Sequence, residues 1–304
     1  MSYISIVFVQ TSIMFLLMAI GYICFKIGLV DQSGSKQLSN VAIYVANPAL
    51  LINAFSTSID KSMYRNMFVM FILSILVYII SIIVTRVLGS KESNFSKFAM
   101  IFSNLGFIGL PLAKNVLGNE SVVYMSLFVG VSNLLIWTYG LKLVAGQNKN
   151  VSLMKVLLNP CILSIIVGLF LGMSDMKIPS VIRTTVDDLS QLNLPLVMLA
   201  LGCYLAEGDV RAVLKNKSLY ITCFMRLLLI PIILIPIFKI LPSSLQIIRM
   251  TLLLGTATPV AALMAIFSKT YDGDYSYSSI VVGISTISSL ITIPCIMSLA
   301  QIIW

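Results

Sequence analysis

Ten long apolar stretches, separated by charged residues, constrain this 304-residue sequence more than any other feature. A membrane-spanning helix needs about 20 largely apolar residues, and the stretches run over 4–25, 37–59, 66–85, 98–113, 121–141, 156–174, 189–206, 218–238, 250–268 and 275–304. All eleven carboxylates lie outside them, and the single charge inside them is Arg226. Because a backbone in lipid has to satisfy its own hydrogen bonds, the sequence predicts an all-α membrane protein with ten transmembrane helices.

The composition excludes most catalytic chemistry. Residues are 59% hydrophobic and 10% charged, far from the values of soluble domains. There is no histidine, and the five cysteines are scattered singly, so neither a serine triad nor a zinc site is indicated. No P-loop motif and no pair of carboxylates within a span is present. We therefore expect a protein that is not an enzyme and that has no cofactor, no metal and no nucleic-acid partner.

The excess of positive charge predicts the orientation. Twelve Lys and Arg residues lie in one set of alternate connections and seven in the other, and the twenty positive residues against eleven negative ones give a net charge of +9. Loops rich in Lys and Arg remain in the cytoplasm. The asymmetry therefore predicts a multi-pass protein of the cell membrane with both termini outside.

Ten spans divide into five and five around a polar connection. The predicted units are a first five-helix repeat over 1–145, a cytoplasmic linker over 146–155 and a second repeat over 156–304. An odd number of spans per half inverts the second half relative to the first. Residues at offsets of 147 or 148 support the repeat: Pro48 with Pro195, Pro111 with Pro259, and Gly21 with Gly168.

Two spans contain residues that break helices. The fourth carries Gly106, Gly109 and Pro111, and the ninth carries Gly255 and Pro259. Such breaks are tolerated at membrane depth where they line a cavity, and the freed amide ends carry partial positive charge. Inverted repeats with interrupted helices in corresponding positions are typical of secondary transporters, with the binding site at the interruptions. We expect a site for an anion there.

Several motifs resemble those of the auxin efflux carrier family over essentially the whole chain. This family includes plant auxin exporters and bacterial permeases labelled as malate or dicarboxylate carriers. The stretches that carry the resemblance are 103–112, Asn47-Pro48-Ala49-Leu50-Leu51, Asn159-Pro160, Leu194-Pro195-Leu196, and Ala257-Thr258-Pro259 followed by Tyr271 and Asp274.

The resemblance implies a fold of ten helices similar to bile acid sodium symporters. Spans one, two, six and seven would form a scaffold, and spans three to five and eight to ten a transport domain in which spans four and nine cross. Asn104 would lie where the family places an asparagine that holds the substrate carboxylate. Pro111 and Pro259 would be the crossover prolines. Relatives with this architecture also suggest a homodimer formed through the scaffold.

Each candidate substrate ligand has a structural alternative. Asn104 is expected either to bind a carboxylate or to cap a freed backbone group. Asn47 is expected to be a ligand or to support the kink at Pro48, which with Pro195 would kink the scaffold. Thr256 and Thr258 would contact substrate or a sodium ion, or bond back to their own helix.

Two further residues are candidates on different grounds. Asn133, beside Ser132 in the fifth span, is a polar position flanking the expected crossing, where interhelical hydrogen bonding is the alternative role. Arg226 lies deep in the eighth span, where a charge is costly and is usually functional or paired. It would add positive potential to an anion path, or it would reach the surface or pair with freed carbonyls.

The predicted function is secondary active transport of a small organic anion, a carboxylate, across the lipid bilayer. The half that carries spans four and nine would move against the other in an elevator-like manner and expose a midplane site to each side in turn. An anion channel or a sodium-coupled symporter on the same fold is the alternative. A coupling ion, proton or sodium, and the direction of transport stay open.

Overall fold

The computed structural model describes residues 3–55, 63–145, 160–174, 178–208, 213–271 and 273–304. Within these ranges the secondary structure is helical, and extended pairing is limited to one isolated antiparallel bridge between Ser103 and Val260. The predicted all-α character is thus confirmed. The linker predicted over 146–155 and the residue Asn159 lie outside the described ranges.

Sixteen α-helices are described in these ranges. Those before the predicted linker are α1 Tyr3–Lys26, α2 Gln32–Val41, α3 Asn47–Phe55, α4 Met63–Leu88, α5 Asn94–Ile101, α6 Leu110–Leu117, α7 Asn119–Leu135 and α8 Leu141–Ala145. Those after it are α9 Pro160–Met173, α10 Ser180–Gln191, α11 Asn193–Glu207, α12 Lys217–Phe224, α13 Ile230–Lys239, α14 Gln246–Ala257, α15 Leu263–Thr270 and α16 Tyr275–Ile303.

Short π-helical segments interrupt several apolar stretches without ending them. They cover Ala42–Ala46 between α2 and α3, Leu105–Gly109 before α6, Ile136–Gly140 between α7 and α8, and Met225–Leu229 between α12 and α13. Three of the helices that follow have proline at their second residue: Pro48, Pro111 and Pro231. Proline has no amide hydrogen and clashes with the carbonyl four residues earlier. The wider π turn accommodates this clash while the helix continues.

Side-chain caps mark where several helices begin. Asp31 accepts a hydrogen bond from the amide of Gly34 at 2.7 Å, and Asp274 accepts one from the amide of Tyr277 at 2.8 Å. Ser93 and Asn216 cap α5 and α12 in the same way. Such caps satisfy amides that have no partner inside the helix.

Six continuous helical stretches in the described residues are long and apolar enough to cross a membrane. They are Phe8–Lys26, Met63–Leu88, Asn119–Ala145, Ser180–Glu207, Lys217–Lys239 and Tyr275–Ile303. Two shorter apolar helices cover Leu105–Leu117 and Pro160–Met173. The predicted fourth and ninth spans are each divided by a break between shorter helices, and the predicted second span comprises α2, the π segment Ala42–Ala46 and α3. The count of ten spans therefore stays a prediction.

The helices α1 and α11 approach each other at backbone distance. A Cβ atom on Gly202 would lie 1.9 Å from the carbonyl oxygen of Met18, and one on Gly21 would lie 2.1 Å from that of Leu199. Small residues allow this approach, which is a common way to pack helices in membranes. The helices α2 and α3 complete this group by packing on α11 and on α9 and α10, respectively.

A second set of contacts surrounds the broken helices. The helix α7 packs on α4, α6 and α14, and α16 packs on α14 and α15. The segments between α5 and α6 and between α14 and α15 lie inside these contacts, and their residues are mostly buried. The two interruptions are therefore held at the centre of the helical assembly.

Candidate functional site

The interrupted segments of the predicted fourth and ninth spans cross each other in antiparallel pairing. The amide of Asn104 donates to the carbonyl of Pro259 at 2.8 Å, and the amide of Ala261 donates to the carbonyl of Phe102 at 3.0 Å. The amide of Val260 donates to the hydroxyl of Ser285 at 3.2 Å. These bonds satisfy backbone groups that the helix breaks would leave unpaired away from water.

The local sequence explains where the helices stop and restart. The helix α5 ends at Ile101, and Phe102 is extended. The helix α14 ends at Ala257, and Thr258 before Pro259 is also extended, as expected for a residue that precedes proline. Pro259 has no amide hydrogen, and its carbonyl is used in the crossing.

A cavity lies against the crossing and contains about 530 Å³ of space, part of which is open to the surroundings. Its polar lining residues are Asn47, Ser103, Asn104, Ser132 and Asn133. The other walls include residues at the beginning of both second half-helices, namely 105–107 before α6 and 261–263 at the start of α15. No Asp, Glu, Lys or Arg is among the described residues that line this cavity.

Asn104 provides an unused hydrogen-bond donor in the cavity wall. The residue is 3% exposed, and its side-chain nitrogen Nδ2 has no hydrogen-bond partner among the described residues. Asn104 occupies the N-cap position of the π segment, but its side chain makes no capping hydrogen bond. The structural alternative considered for this residue is therefore not supported by its contacts. A buried amide donor without a partner is suited to a ligand.

Asn47 reaches the same cavity from α3. Its Nδ2 donates to the sulfur of Cys161 at 3.3 Å, and its Oδ1 has no partner among the described residues. A Cβ atom on Gly106 would lie 3.5 Å from Asn47 Oδ1, so the asparagine side chain packs directly over this glycine. The absence of a side chain at Gly106 leaves room between Asn47 and the start of the second half-helix.

Arg226 pairs with the ends of the two first half-helices. Its side chain is 1% exposed, and Nη1 donates to the carbonyls of Met100 at 3.2 Å and Ile101 at 3.0 Å. Nη2 donates to the carbonyl of Thr256. These carbonyls lie in the last turns of α5 and α14, which carry partial negative charge. Of the roles considered for Arg226, these contacts match pairing with freed carbonyls. Arg226 does not line the cavity.

Comparison with known families decides the class of protein. A family model described as membrane transport protein matches residues 6–297. The chain belongs to this auxin efflux carrier-like membrane transport family. It is a multi-pass membrane transport protein and not an enzyme.

Two archaeal proteins named as uncharacterized transporters resemble this membrane transport protein. The protein from Methanocaldococcus jannaschii is 25% identical over 213 residues, which cover 66% of this chain and 69% of that protein. The protein from Methanothermobacter thermautotrophicus is 23% identical over 286 residues, which cover 91% of this chain and 93% of that protein.

The remaining predicted ligands of the transporter take different positions. Asn133 lines the cavity, and its Nδ2 donates to the carbonyl of Val129 at 3.1 Å. The hydroxyl of Thr256 donates to the carbonyl of Leu253 at 2.8 Å, and that of Thr258 donates to the carbonyl of Gly255 at 2.7 Å. Both threonines thus bond back to their own helix, and neither is a cavity-lining residue.

The predicted helix-breaking residues surround the crossing. Gly106 and Gly109 lie in the π segment and Pro111 is the second residue of α6. A Cβ atom on Gly255, near the end of α14, would lie 2.8 Å from a methyl carbon of Leu105. Among the predicted scaffold kinks, Pro48 follows a π segment, and Pro195 follows the turn at residue 192 between α10 and α11.

Sequence reasoning missed two residues of the cavity wall. Trp137 and Cys161 line the cavity, and nothing in their apolar surroundings distinguishes them in the sequence. A wider cavity, with about 800 Å³ of space that is partly open to the surroundings, shares Ile43, Trp137 and Leu263 with the first one and also includes Lys36. Lys36 stands at the start of a predicted span on the lysine-rich side, which is the one signal that could have indicated it.

Proposed function

We propose that this membrane transport protein is a secondary transporter of small carboxylates that binds its substrate in the cavity at the crossing. The proposal rests on one observation: three sets of hydrogen-bond donors line the same cavity. The beginnings of two second half-helices and the unpartnered amide of Asn104 all line one cavity. Helix N-termini bind anions through free amides and the helix dipole.

The charges around the crossing favour an anion. Each helix end carries roughly half an elementary charge, and four half-helix ends meet here. Arg226 pairs with the two negative ends. The two positive ends line a cavity wall without charged residues. The two helix ends next to the cavity therefore contribute a net positive charge of roughly one elementary charge, which one carboxylate would neutralise.

The proposed ligands come from different parts of the molecule. Asn104 belongs to the broken fourth span, Asn133 lies on α7, and Asn47 lies on α3. A carboxylate bound by Asn104 would also lie within the reach of Asn47 Oδ1 through a hydroxyl group of the substrate. We therefore propose hydroxylated carboxylic acids as preferred substrates, with Asn104 as the main ligand and with Thr256 and Thr258 stabilising the end of α14 through bonds to their own helix.

The proposed architecture is the ten-span inverted repeat. Antiparallel crossing of two interrupted segments is the arrangement that inverted repeats would produce, and Pro48 and Pro195 both follow a helix irregularity. The scaffold would comprise α1–α3 and α9–α11, and the transport domain the other helices. Elevator-like motion of the transport domain, a homodimer through the scaffold and a cell-membrane location with both termini outside belong to this proposal.

The wider cavity suggests which side the site faces in this conformation. It shares Ile43, Trp137 and Leu263 with the cavity at the crossing and also includes Lys36, on the side that the charge asymmetry predicts to be cytoplasmic. The structure would therefore represent an inward-facing state. Transport then requires a second state in which the same site opens to the outside.

A thermal-shift screen tests the binding site. Purified protein is heated with a panel of mono-, di- and hydroxycarboxylates, with chloride and with choline as a cation, each with and without sodium and at two pH values. We expect one or more carboxylates to raise the melting temperature, and Asn104→Ala to abolish the shift. The matched control, Asn119→Ala, removes an exposed asparagine at the start of α7 and is expected to keep it. Stabilisation that survives Asn104→Ala would refute the site.

A further inference from the structure

A second cavity, remote from the crossing, is lined by positive charge. It lies between the end of α4, the start of α5 and α8, and it contains about 1320 Å³ of space, part of which is open to the surroundings. Arg86, Lys97 and Lys142 line it together with Ser90 and Asn94. No carboxylate is among the described residues that line it. Three positive charges therefore share one cavity whose described wall holds no group that neutralises them.

The nearest carboxylate in the sequence is engaged elsewhere. Glu92, between α4 and α5, accepts a hydrogen bond from the hydroxyl of Ser218 at the start of α12. The helix dipole does not explain all three cations either. Arg86 and Lys142 lie in the last turns of α4 and α8, where a cation is favourable. Lys97 lies in the first turn of α5, where the dipole disfavours it. A bound anion would compensate both Lys97 and the positive end of α5.

The surroundings of this cavity match the boundary between headgroups and acyl chains. Val87 and Leu88, next to Arg86, are 68% and 58% exposed. The guanidinium of Arg86 lies over the ring of Tyr139, 5.9 Å from its centroid, and tyrosine is enriched at the membrane interface. Acyl chains of a lipid could follow the exposed apolar side of α4 while its phosphate enters the cavity.

We propose that this basic cavity binds the headgroup of an anionic phospholipid. Its residues lie in connections that the charge asymmetry places in the cytoplasm, and basic cavities between membrane helices on that side suit phosphate headgroups. The phosphodiester would be held by Arg86, Lys97 and Lys142, with Ser90 and Asn94 as neutral donors. The lipid would join the ends of α4, α5 and α8. This proposal is independent of which solute is transported.

Competitive lipid binding tests the proposal. Protein delipidated in detergent is exposed to equal amounts of phosphatidylglycerol and phosphatidylcholine, and the bound lipids are counted by native mass spectrometry. The pocket variant carries Arg86→Gln, Lys97→Gln and Lys142→Gln. Its control carries Lys26→Gln, Lys215→Gln and Lys217→Gln, which remove the same charge from exposed positions. Each cation near an anionic surface contributes roughly a fivefold change in affinity, so we expect the preference for phosphatidylglycerol to fall at least tenfold in the pocket variant alone.

Two further arms make the result decisive. Lys97→Gln alone, compared with Lys91→Gln in the same connection, is expected to lower the preference roughly fivefold while both proteins stay monodisperse. Inorganic phosphate and glycerol 3-phosphate are then offered without lipid. An unchanged preference in the pocket variants, or an equal loss in the controls, would overturn the proposal. Binding of the soluble phosphates with the same dependence on Lys97 would overturn it too, because the occupant would then be a soluble phosphate.

Discussion

Two polar side chains, those of Arg226 and Asn104, have different roles at the crossing. Arg226 donates hydrogen bonds to carbonyls at the ends of α5 and α14, whereas Asn104 has an unpartnered donor in the cavity wall. The sequence predicted that both residues matter, because each is a polar group within an apolar run. It left the role of Arg226 open, since the carbonyls that it contacts lie 125 and 126 residues before it and 30 residues after it.

Replacing Arg226 tests its role as a partner of carbonyls. Arg226→Gln would leave buried carbonyls of both half-helices without their charged donor. We expect the free energy of unfolding to fall by roughly 2–4 kcal/mol, measured by denaturant titration in detergent. Arg183→Gln on α10, which removes an exposed arginine, is the control and is expected to have little effect. Unchanged stability of Arg226→Gln would contradict the role assigned here.

Replacing Gly106 tests the space beneath Asn47. A Cβ atom there meets Asn47 Oδ1 at 3.5 Å and Nδ2 at 3.6 Å, which are ordinary contact distances. Gly106→Ala is therefore expected to fold with nearly the wild-type melting temperature, and to bind the carboxylate found in the screen at least several-fold more weakly because the methyl group fills the cavity. Full retention of affinity would show that the substrate does not occupy this space.

Helical elements show how proline is accommodated in this chain. The sequence predicted a break or kink near each proline of the second and fourth spans, and the structure places a π segment ahead of both Pro48 and Pro111. The extra residue in such a turn is not visible in a hydrophobic pattern, because π and α segments bury the same kinds of side chains. The pairing of Phe102 to Asn104 with residues 259–261 was likewise unpredictable in register, since it depends on contacts between distant segments.

The tight contact between α1 and α11 gives a prediction at the same scale. Gly202→Ala would place a Cβ atom 1.9 Å from a backbone oxygen of α1, so the helices have to move apart. We expect a loss of stability of roughly 1–3 kcal/mol. In the control, Gly130→Ala, the new Cβ atom meets only the flexible end of Ile165 at 3.0 Å, and a smaller loss is expected. Equal effects of the two substitutions would argue against close backbone packing of α1 and α11.

At the scale of the whole molecule, the helical membrane character could be predicted from the sequence, whereas the cavity walls could not. Apolar runs and the absence of histidine led to a helical membrane protein that is not an enzyme, and the family match agrees. The ten-span inverted repeat stays a prediction. Cavities form between helices from both halves of the chain, so Trp137 and Lys36 could not be assigned to them from local sequence.

Counterflow in proteoliposomes tests the central claim most directly. Vesicles containing the protein are loaded with a carboxylate identified in the screen, and uptake of the labelled compound from outside is measured. Wild-type protein and Asn119→Ala are expected to show uptake that is accelerated by unlabelled substrate inside, because a carrier returns faster when loaded. Asn104→Ala is expected to lose most of this uptake. Uptake without acceleration would indicate a channel, and normal counterflow in Asn104→Ala would contradict the proposed binding site.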